Sequence, residues 1–294
     1  MINRVETQLE LSHTEKNILL KYFPKGICAF DLEMTGLSPI LDKIIEIAAV
    51  KLTPENEVKL FHKLINPLIP IPEHTIQYHQ LTNDKLKDSP SLKKPLQEFI
   101  DFYGNYPLLA HSAMFDASFL IKGIHDYNYS ISLSSIYDSC RMARAVYKKK
   151  SLTPKDFKLS TLAEFFNISF DHHKALDDAL VALKVFAHCL IEFEKTYPKE
   201  NLKNFAYLFK LNSFLNAEKY ILPNKLAGLK EATQKQHKID IKYKGGRLKN
   251  QFRTVKPISL LPLPQGLILY AECLNSQQNK YFHVNKIQSL KLHN

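Results

Sequence analysis

Two carboxylates, two residues apart, close the first strongly apolar run of this chain. Residues 27–32 read Ile-Cys-Ala-Phe-Asp-Leu, and the stretch continues Glu33-Met34-Thr35-Gly36-Leu37. A run of this length and composition reads as a strand, and residues i and i+2 of a strand point to one face. Asp31 and Glu33 therefore project side by side. Like charges held that close repel unless something positive lies between them, and a hard divalent cation with oxygen ligands is the natural candidate. Thr35-Gly36 lets the chain turn away beside them. An Asp-x-Glu pair alone is most often two solvated charges, so the reading depends on more acids reaching the same place.

The downstream pattern supplies them. Apolar runs at 44–52 and 58–65, joined by short connections, continue an antiparallel meander. A helix over Ser91–Tyr103 precedes a strand at Pro107–Ala110, then His111-Ser112-Ala113-Met114-Phe115-Asp116 opens another helix. Asp116 falls in its first turn, where simple capping is the competing explanation. A strand at 135–138 and helices to Tyr147 and over Leu159–Phe166 follow. Then comes Asp171-His172-His173-Lys174-Ala175-Leu176-Asp177-Asp178, opening a long helix with the apolar stripe Leu176, Leu180, Leu183, Ala187 and Leu190. Four acids, Asp31, Glu33, Asp116 and Asp178, thus sit on one strand end and two helix starts, with His173 nearby. Such a set suits phosphodiester hydrolysis with two metal ions, and a neutral histidine can take a water's proton near physiological pH.

The motifs Phe30-Asp31-Leu32-Glu33-Met34-Thr35-Gly36-Leu37, Ala110-His111-Ser112-Ala113-Met114-Phe115-Asp116 and His173-Lys174-Ala175-Leu176-Asp177-Asp178-Ala179 resemble, in order, those of the DEDDh (DnaQ-like) 3′–5′ exonucleases. Ile45-Glu46-Ile47, Tyr137-Asp138-Ser139 and Lys158–Leu162 agree. The resemblance spans about residues 26–192 and implies an α/β fold, an RNase H-like mixed sheet flanked by helices. It implies that Asp31, Glu33, Asp116 and Asp178 bind two divalent ions, Mg²⁺ or Mn²⁺, and that His173 is the general base. Thr35, Leu37 and His111 would contact the terminal nucleotide. The departures are Ser112, where the family often has Asn, and Met34, where Thr is common and Met is more typical of the oligoribonuclease branch.

The last third differs in charge. Residues 1–198 hold 23 Lys/Arg and 24 Asp/Glu, whereas residues 199–294 hold 17 and 5, so the net charge of +11 lies entirely in that third. Such asymmetry points to a polyanionic partner, with solubility alone as the plain alternative. Residues 196–230 read as a helical linker between domains at 1–195 and 231–294. Short strands follow from Lys238, at 239–243, 252–255, 266–273 and 281–284. The matches Ile241-Lys242-Tyr243, Arg253–Pro257, Tyr270–Cys273 and Phe282–Ile287 resemble a degenerate WYL domain over about 226–292, with Leu267-Ile268-Leu269 at the naming triplet. That implies a small Sm/SH3-like β-barrel whose basic residues, here Lys242, Lys244, Arg247, Lys249, Arg253 and Lys256, bind nucleic acid or an anionic effector. The plain alternative is a barrel that only packs.

The expectation is a metal-dependent 3′–5′ exonuclease acting on single-stranded nucleic acid, DNA before RNA, and releasing nucleoside monophosphates. RNA trimming and a catalytically dead nucleic-acid-binding regulator are the rivals. Cys28, Cys140, Cys189 and Cys273 are scattered and give no zinc or disulfide signature, which suits a cytoplasmic protein. No apolar stretch could span a bilayer.

Overall fold

The computed structural model describes residues 10–132, 134–148, 150–169, 174–211, 222–246, 249–264 and 266–293. It divides into two units: Met1–Thr35, Ile44–Asp116 and Ser130–Leu211 form the first, and Gly36–Lys43, Ala117–Tyr129 and Asn212–Asn294 the second.

The first unit holds α1 (His13–Tyr22), β1 (Ile27–Met34), β2 (Ile44–Leu52), β3 (Val58–Leu64), α2 (Glu73–His79), α3 (Asn83–Leu86), α4 (Lys93–Tyr103), β4 (Leu108–Ala110), the start of α5 (Met114–Asp126), β5 (Ser135–Asp138), α6 (Ser139–Tyr147), α7 (Leu159–Phe165), α8 (Ala175–Thr196), α9 (Lys203–Ala206) and β6 (Tyr207–Lys210). Its six strands run in the order β3-β2-β1-β4-β5-β6. β1 pairs antiparallel with β2 and parallel with β4, so the sheet is mixed and the fold is RNase H-like. β1 is interior, and its first four residues are buried, which is why it reads as continuous apolar sequence rather than alternation. α8 lies against β1 and β2, with Leu183, Phe186, Leu190 and Phe193 in one core with Ile27, Ala29, Val50 and Leu52.

α1 is fixed by a reciprocal cap: the Glu15 backbone N–H donates to Ser12 Oγ at 3.2 Å and the Ser12 N–H to Glu15 Oε2 at 2.7 Å. The Glu15 carboxylate, buried, also takes Lys184 Nζ at 2.9 Å and faces His188 Nε2 at 3.4 Å. Burial raises its pKa, but the hydrogen bonds of His188, Lys184 and the Ser12 backbone outweigh that and hold it at about 2.

The second unit contains α10 (Gly228–Lys235) and an antiparallel sheet of β7 (Ile239–Tyr243), β8 (Phe252–Leu263), β9 (Gly266–Cys273), β10 (Gln278–His283) and β11 (Ile287–Leu292). The order is β10-β9-β8-β7-β11. Among the described residues the pairing of this antiparallel sheet ends at β10 on one side and β11 on the other. Its core is Leu226, Leu229, Ile239, Ile241, Val255, Leu260, Leu269 and Phe282, with Ile40 packed against it.

Other differences follow from pairing that sequence does not display. Residues 196–230 are not a plain helical linker, because β6 pairs with β5 to end the first sheet. β8 runs eight residues beyond the Val255 boundary, through Pro257 and Pro262. Proline lacks an N–H and normally argues against an interior strand. Here β7 covers β8 only as far as Val255, and beyond it β8 pairs with β9 alone, which leaves one side where that missing donor is not needed.

Candidate active site

Strand alternation delivers Asp31 and Glu33 to one face, and α8 delivers Asp178 in its first turn. The three carboxylates offer oxygens that all lie within 4.8 Å of one another. Asp116, buried in the first turn of α5, adjoins them: its Oδ1 accepts from the Leu32 backbone N–H at 3.3 Å, which ties the helix to β1 between the two strand acids. Its carboxylate therefore reaches the neighbouring strand, beyond what helix capping alone would ask of it.

A fifth acid comes with β2. Glu46 stands opposite Glu33 in the ladder, is buried, and meets His62 Nε2 at 2.5 Å. Sequence reading placed it only within a supporting match. Its signal was a lone acid within Ile44–Val50, a stretch otherwise fully apolar.

The electrostatics follow. Burial pushes Asp31 well above the usual carboxylate range, and Asp116, Glu33, Asp178 and Glu46 push the same way. Glu33 is pushed up to about 8, by burial first and then by Glu46, Asp178 and Asp116. Asp116 rises to about 7 through burial, against hydrogen bonds from its own and the Leu32 backbone. Acids this close stay ionised together only with a positive charge among them. The oxygen-only donor set and the mutual repulsion fit a divalent cation. Asp31, Glu33 and Asp178 would hold it, with Asp116 alongside.

The neighbouring residues sort by what is left to offer. Asp177 is buried and lines a cavity with Val50, Val58 and Leu60. Thr35 is 1% exposed, while Leu37 is 54% exposed, so of these two it is Leu37 whose side chain presents surface. His111 Nε2 meets the Phe157 carbonyl at 3.0 Å and Nδ1 meets Ser139 Oγ at 2.8 Å. The carbonyl requires a proton on Nε2, so Nδ1 accepts from the serine hydroxyl, and burial lowers the imidazole pKa to about 4. Both ring nitrogens are thus engaged within the fold, and the substrate contact expected of His111 has no free nitrogen to make it. Beside it, Ser112 takes a φ of +58°, a left-handed conformation that Asn adopts more readily than Ser. Asp138 closes this corner, accepting from the Arg141 N–H at 2.9 Å and the Ala113 N–H at 3.2 Å. His173 and Arg247 lie outside the described residues.

In the C-terminal sheet, Lys242 and Lys256 alternate with buried residues and point outward, and Lys244 and Lys249 are exposed in the β7–β8 turn. Arg253 departs from the expected basic face. It is 6% exposed, its Nη2 donates to the Gly245 carbonyl at 3.1 Å, and its guanidinium lies over the rings of Tyr243 and Phe282 at 5.5 and 5.8 Å. Alternation explains this: Arg253, Val255 and Pro257 share the inward face.

Comparison with known proteins gives the same division. A WYL-domain model matches residues 224–292. The chain is 34% identical over 167 residues to the DNA polymerase III PolC-type of Caldanaerobacter subterraneus subsp. tengcongensis, covering 56% of this chain and 12% of that protein. It is 33% identical over 178 residues to the DNA polymerase III PolC-type of Halalkalibacterium halodurans, covering 60% and 12%. The chain therefore spans a small part of the length of these relatives. The crystal structure of E. coli exonuclease I in complex with a 5cy-dA13 oligonucleotide shares the fold, with a TM-score of 0.52 and 13% identity over 92% of this chain and 65% of that one. The exonuclease (RNase_T) family model matches residues 28–186, the stretch that carries every acid of the cluster, and the chain belongs to that family.

Proposed function

We propose that this protein is a metal-dependent 3′–5′ exonuclease that trims single-stranded nucleic acid, DNA in preference to RNA, to nucleoside monophosphates. The observation that carries the reading is the convergence of the half-buried Asp31, Glu33 and Asp178, with Asp116 beside them, in a chain of the exonuclease family. The preference for DNA is supported by relatives named as DNA polymerases.

Asp31, Glu33, Asp116 and Asp178 would hold two divalent ions, Mg²⁺ or Mn²⁺. Bound there, such ions would offset the charge of the scissile phosphate and lower the pKa of a water, so that it could be deprotonated to a nucleophile near neutral pH. The chain's own residues do the rest. His173, two residues before the start of α8, would accept the water's proton, a task suited to an imidazole that is neutral near pH 7. Leu37 would lie against the terminal nucleotide. Lys242, Lys244, Lys249 and Lys256 would track the phosphates of a longer strand, releasing counterions.

The deciding assay uses one sequence as DNA and as RNA, labelled at the 5′ or the 3′ end, with Mg²⁺ or Mn²⁺ and with excess chelator. A ladder shortening from the 3′ end with metal alone is expected. Full activity in chelator overturns the reading, and faster loss of RNA than DNA replaces the substrate class.

A further inference from the structure

The outer face of the C-terminal sheet carries aromatic rings as well as lysines. On β8, Phe252, Thr254 and Lys256 alternate with the inward Arg253, Val255 and Pro257. On β9, Tyr270 and Glu272 alternate with Leu269, Ala271 and Cys273 of the core. On β10, Tyr281 precedes Phe282 of the same core, so it too faces outward. Phe252 is 40% exposed and Tyr281 is 44% exposed.

Neighbours order both rings. Tyr281 and Tyr270 are register partners, and their rings stack with centroids 4.7 Å apart and planes 30° from parallel. Phe252 stands opposite Lys242 of β7, and Lys291 Nζ lies 4.4 Å from its ring centroid. A ring held this way offers a flat surface whose ordering is completed before a ligand arrives. The charge around the rings is mainly positive. Lys291 joins Lys242 and Lys256 on this face, opposite Asp240 in the ladder. Asp240 itself accepts from the Thr254 hydroxyl at 2.7 Å and meets His293 Nε2 at 3.0 Å. Glu272, the remaining acid of these strands, stands opposite Lys256. A polyanion suits such charge, but phosphates alone have no use for exposed rings. Single-stranded nucleic acid uses both, because its phosphates meet lysines and its unpaired bases stack on aromatic faces. A duplex keeps its base faces covered and could use the lysines alone.

We propose that Phe252 and Tyr281 are base-stacking platforms for a single strand whose phosphates meet Lys242, Lys256 and Lys291. Through the ladder Tyr281 aligns with Tyr270 and Tyr270 with Ser259, seven residues beyond Phe252 on β8. That separation is roughly 20 Å along the strand, so the rings receive two separate bases and not adjacent ones. This role rests on the reading of the C-terminal lysines as phosphate contacts, and it is independent of the acid cluster.

The test measures binding by the full-length chain in excess chelator, where a metal-dependent nuclease cuts nothing. The probes are a thymidine oligonucleotide long enough to span both rings and an abasic strand with the same number of phosphates. The wild type should prefer the thymidine strand by about a hundredfold, tenfold for each ring. Phe252→Ala and Tyr281→Ala should each weaken that strand about tenfold, and leave the abasic strand, the salt slope and the melting temperature unchanged. Tyr281→Phe keeps the ring and should bind as the wild type does. The chain has no tryptophan, so Phe252→Trp supplies a single reporter, quenched by the thymidine strand and not by the abasic one. Equal wild-type affinity for the two strands overturns the stacking and leaves the lysine contacts standing. Alanine variants that bind the thymidine strand normally, or that weaken both strands alike, also overturn it. Thymidine binding without salt dependence refutes the lysine contacts instead, and the alanine variants still decide the stacking. Binding of neither strand overturns both.

Discussion

Each sheet buries charge, and the two do it in opposite ways. In the mixed sheet, β1 presents Asp31 and Glu33 to Asp178, Asp116 and Glu46, all of one sign, and their pKa values climb. In the antiparallel sheet, β8 turns Arg253 inward, where a carbonyl and two aromatic faces receive it. The second arrangement is supported by groups the chain itself supplies. In the first, the charges acting on Asp31 and Glu33 are those of other acids, and a cation from outside would offset them. A buried charge that the fold answers is a structural element, whereas a cluster of like charges that raise one another's pKa marks a site.

The largest effect should come from removing one acid of the conflicted cluster. Asp31→Asn should lower turnover by more than about a thousandfold while raising the melting temperature of the metal-free protein, since it relieves repulsion. The same variant should lose the stabilisation by Mn²⁺ that calorimetry would show for the wild type. A lower melting temperature in chelator would mean that the acids were already balanced within the chain. Next, His173→Ala should slow turnover by roughly 10²–10⁴ with little change in Mn²⁺ affinity, and His172→Ala should be mild. If the two exchanged behaviours, the third motif would be registered one residue off.

On the other side of the comparison, Arg253→Ala should act on stability, by roughly 2–4 kcal/mol, because it empties a packed position and leaves the Gly245 carbonyl without its donor. Lys242→Ala and Lys256→Ala should leave the melting temperature alone and flatten the salt dependence of binding to a long single strand by about 0.7 each in log–log slope. An Arg253→Ala protein that melts normally but loses the salt slope would undo the contrast.

Glu15 offers a charge the fold answers within the first unit. Its folded pKa of about 2 lies below the ordinary carboxylate value of 4.5, so the folded state favours the ionised form. Its contribution is therefore full above about pH 4.5 and lost as pH falls towards 2. Denaturant titrations at pH 7 and pH 3 should show Glu15→Gln costing about 2–3 kcal/mol at the higher pH and clearly less at the lower. An equal loss at both values would assign the effect to packing. The smallest change is Ser112→Asn, which should stabilise by about 0.5 kcal/mol by easing the left-handed backbone.

Much of the first unit was legible because its signals are local. The apolar run of β1 reflects burial on both faces, β2 and β5 were read to the residue, and the stripe on α8 is the face it buries. The acids of the cluster could be named because strand alternation and helix starts place side chains by short-range geometry alone. Period two also runs through Arg253, Val255 and Pro257, and read strictly it puts the arginine inside. Counting basic residues hid that signal.

Other features depend on which distant group a side chain meets, and no local pattern carries that. His111 lies in a nuclease motif, but Ser139 and Phe157 take both its nitrogens. The strand expected over 252–255 continues to Leu263, past Pro257 and Pro262, and β7 stops short beside it. Leu37 and Ser38 follow the acid strand directly, and nothing in their sequence announces Ser259 and Leu260 as partners. Sequence by itself determined the strand, the helix starts and the acids they carry, since those follow from backbone periodicity and side-chain chemistry. Tertiary structure alone decided which polar groups are satisfied and by whom, since a hydrogen bond depends on a meeting in space that chain separation does not encode.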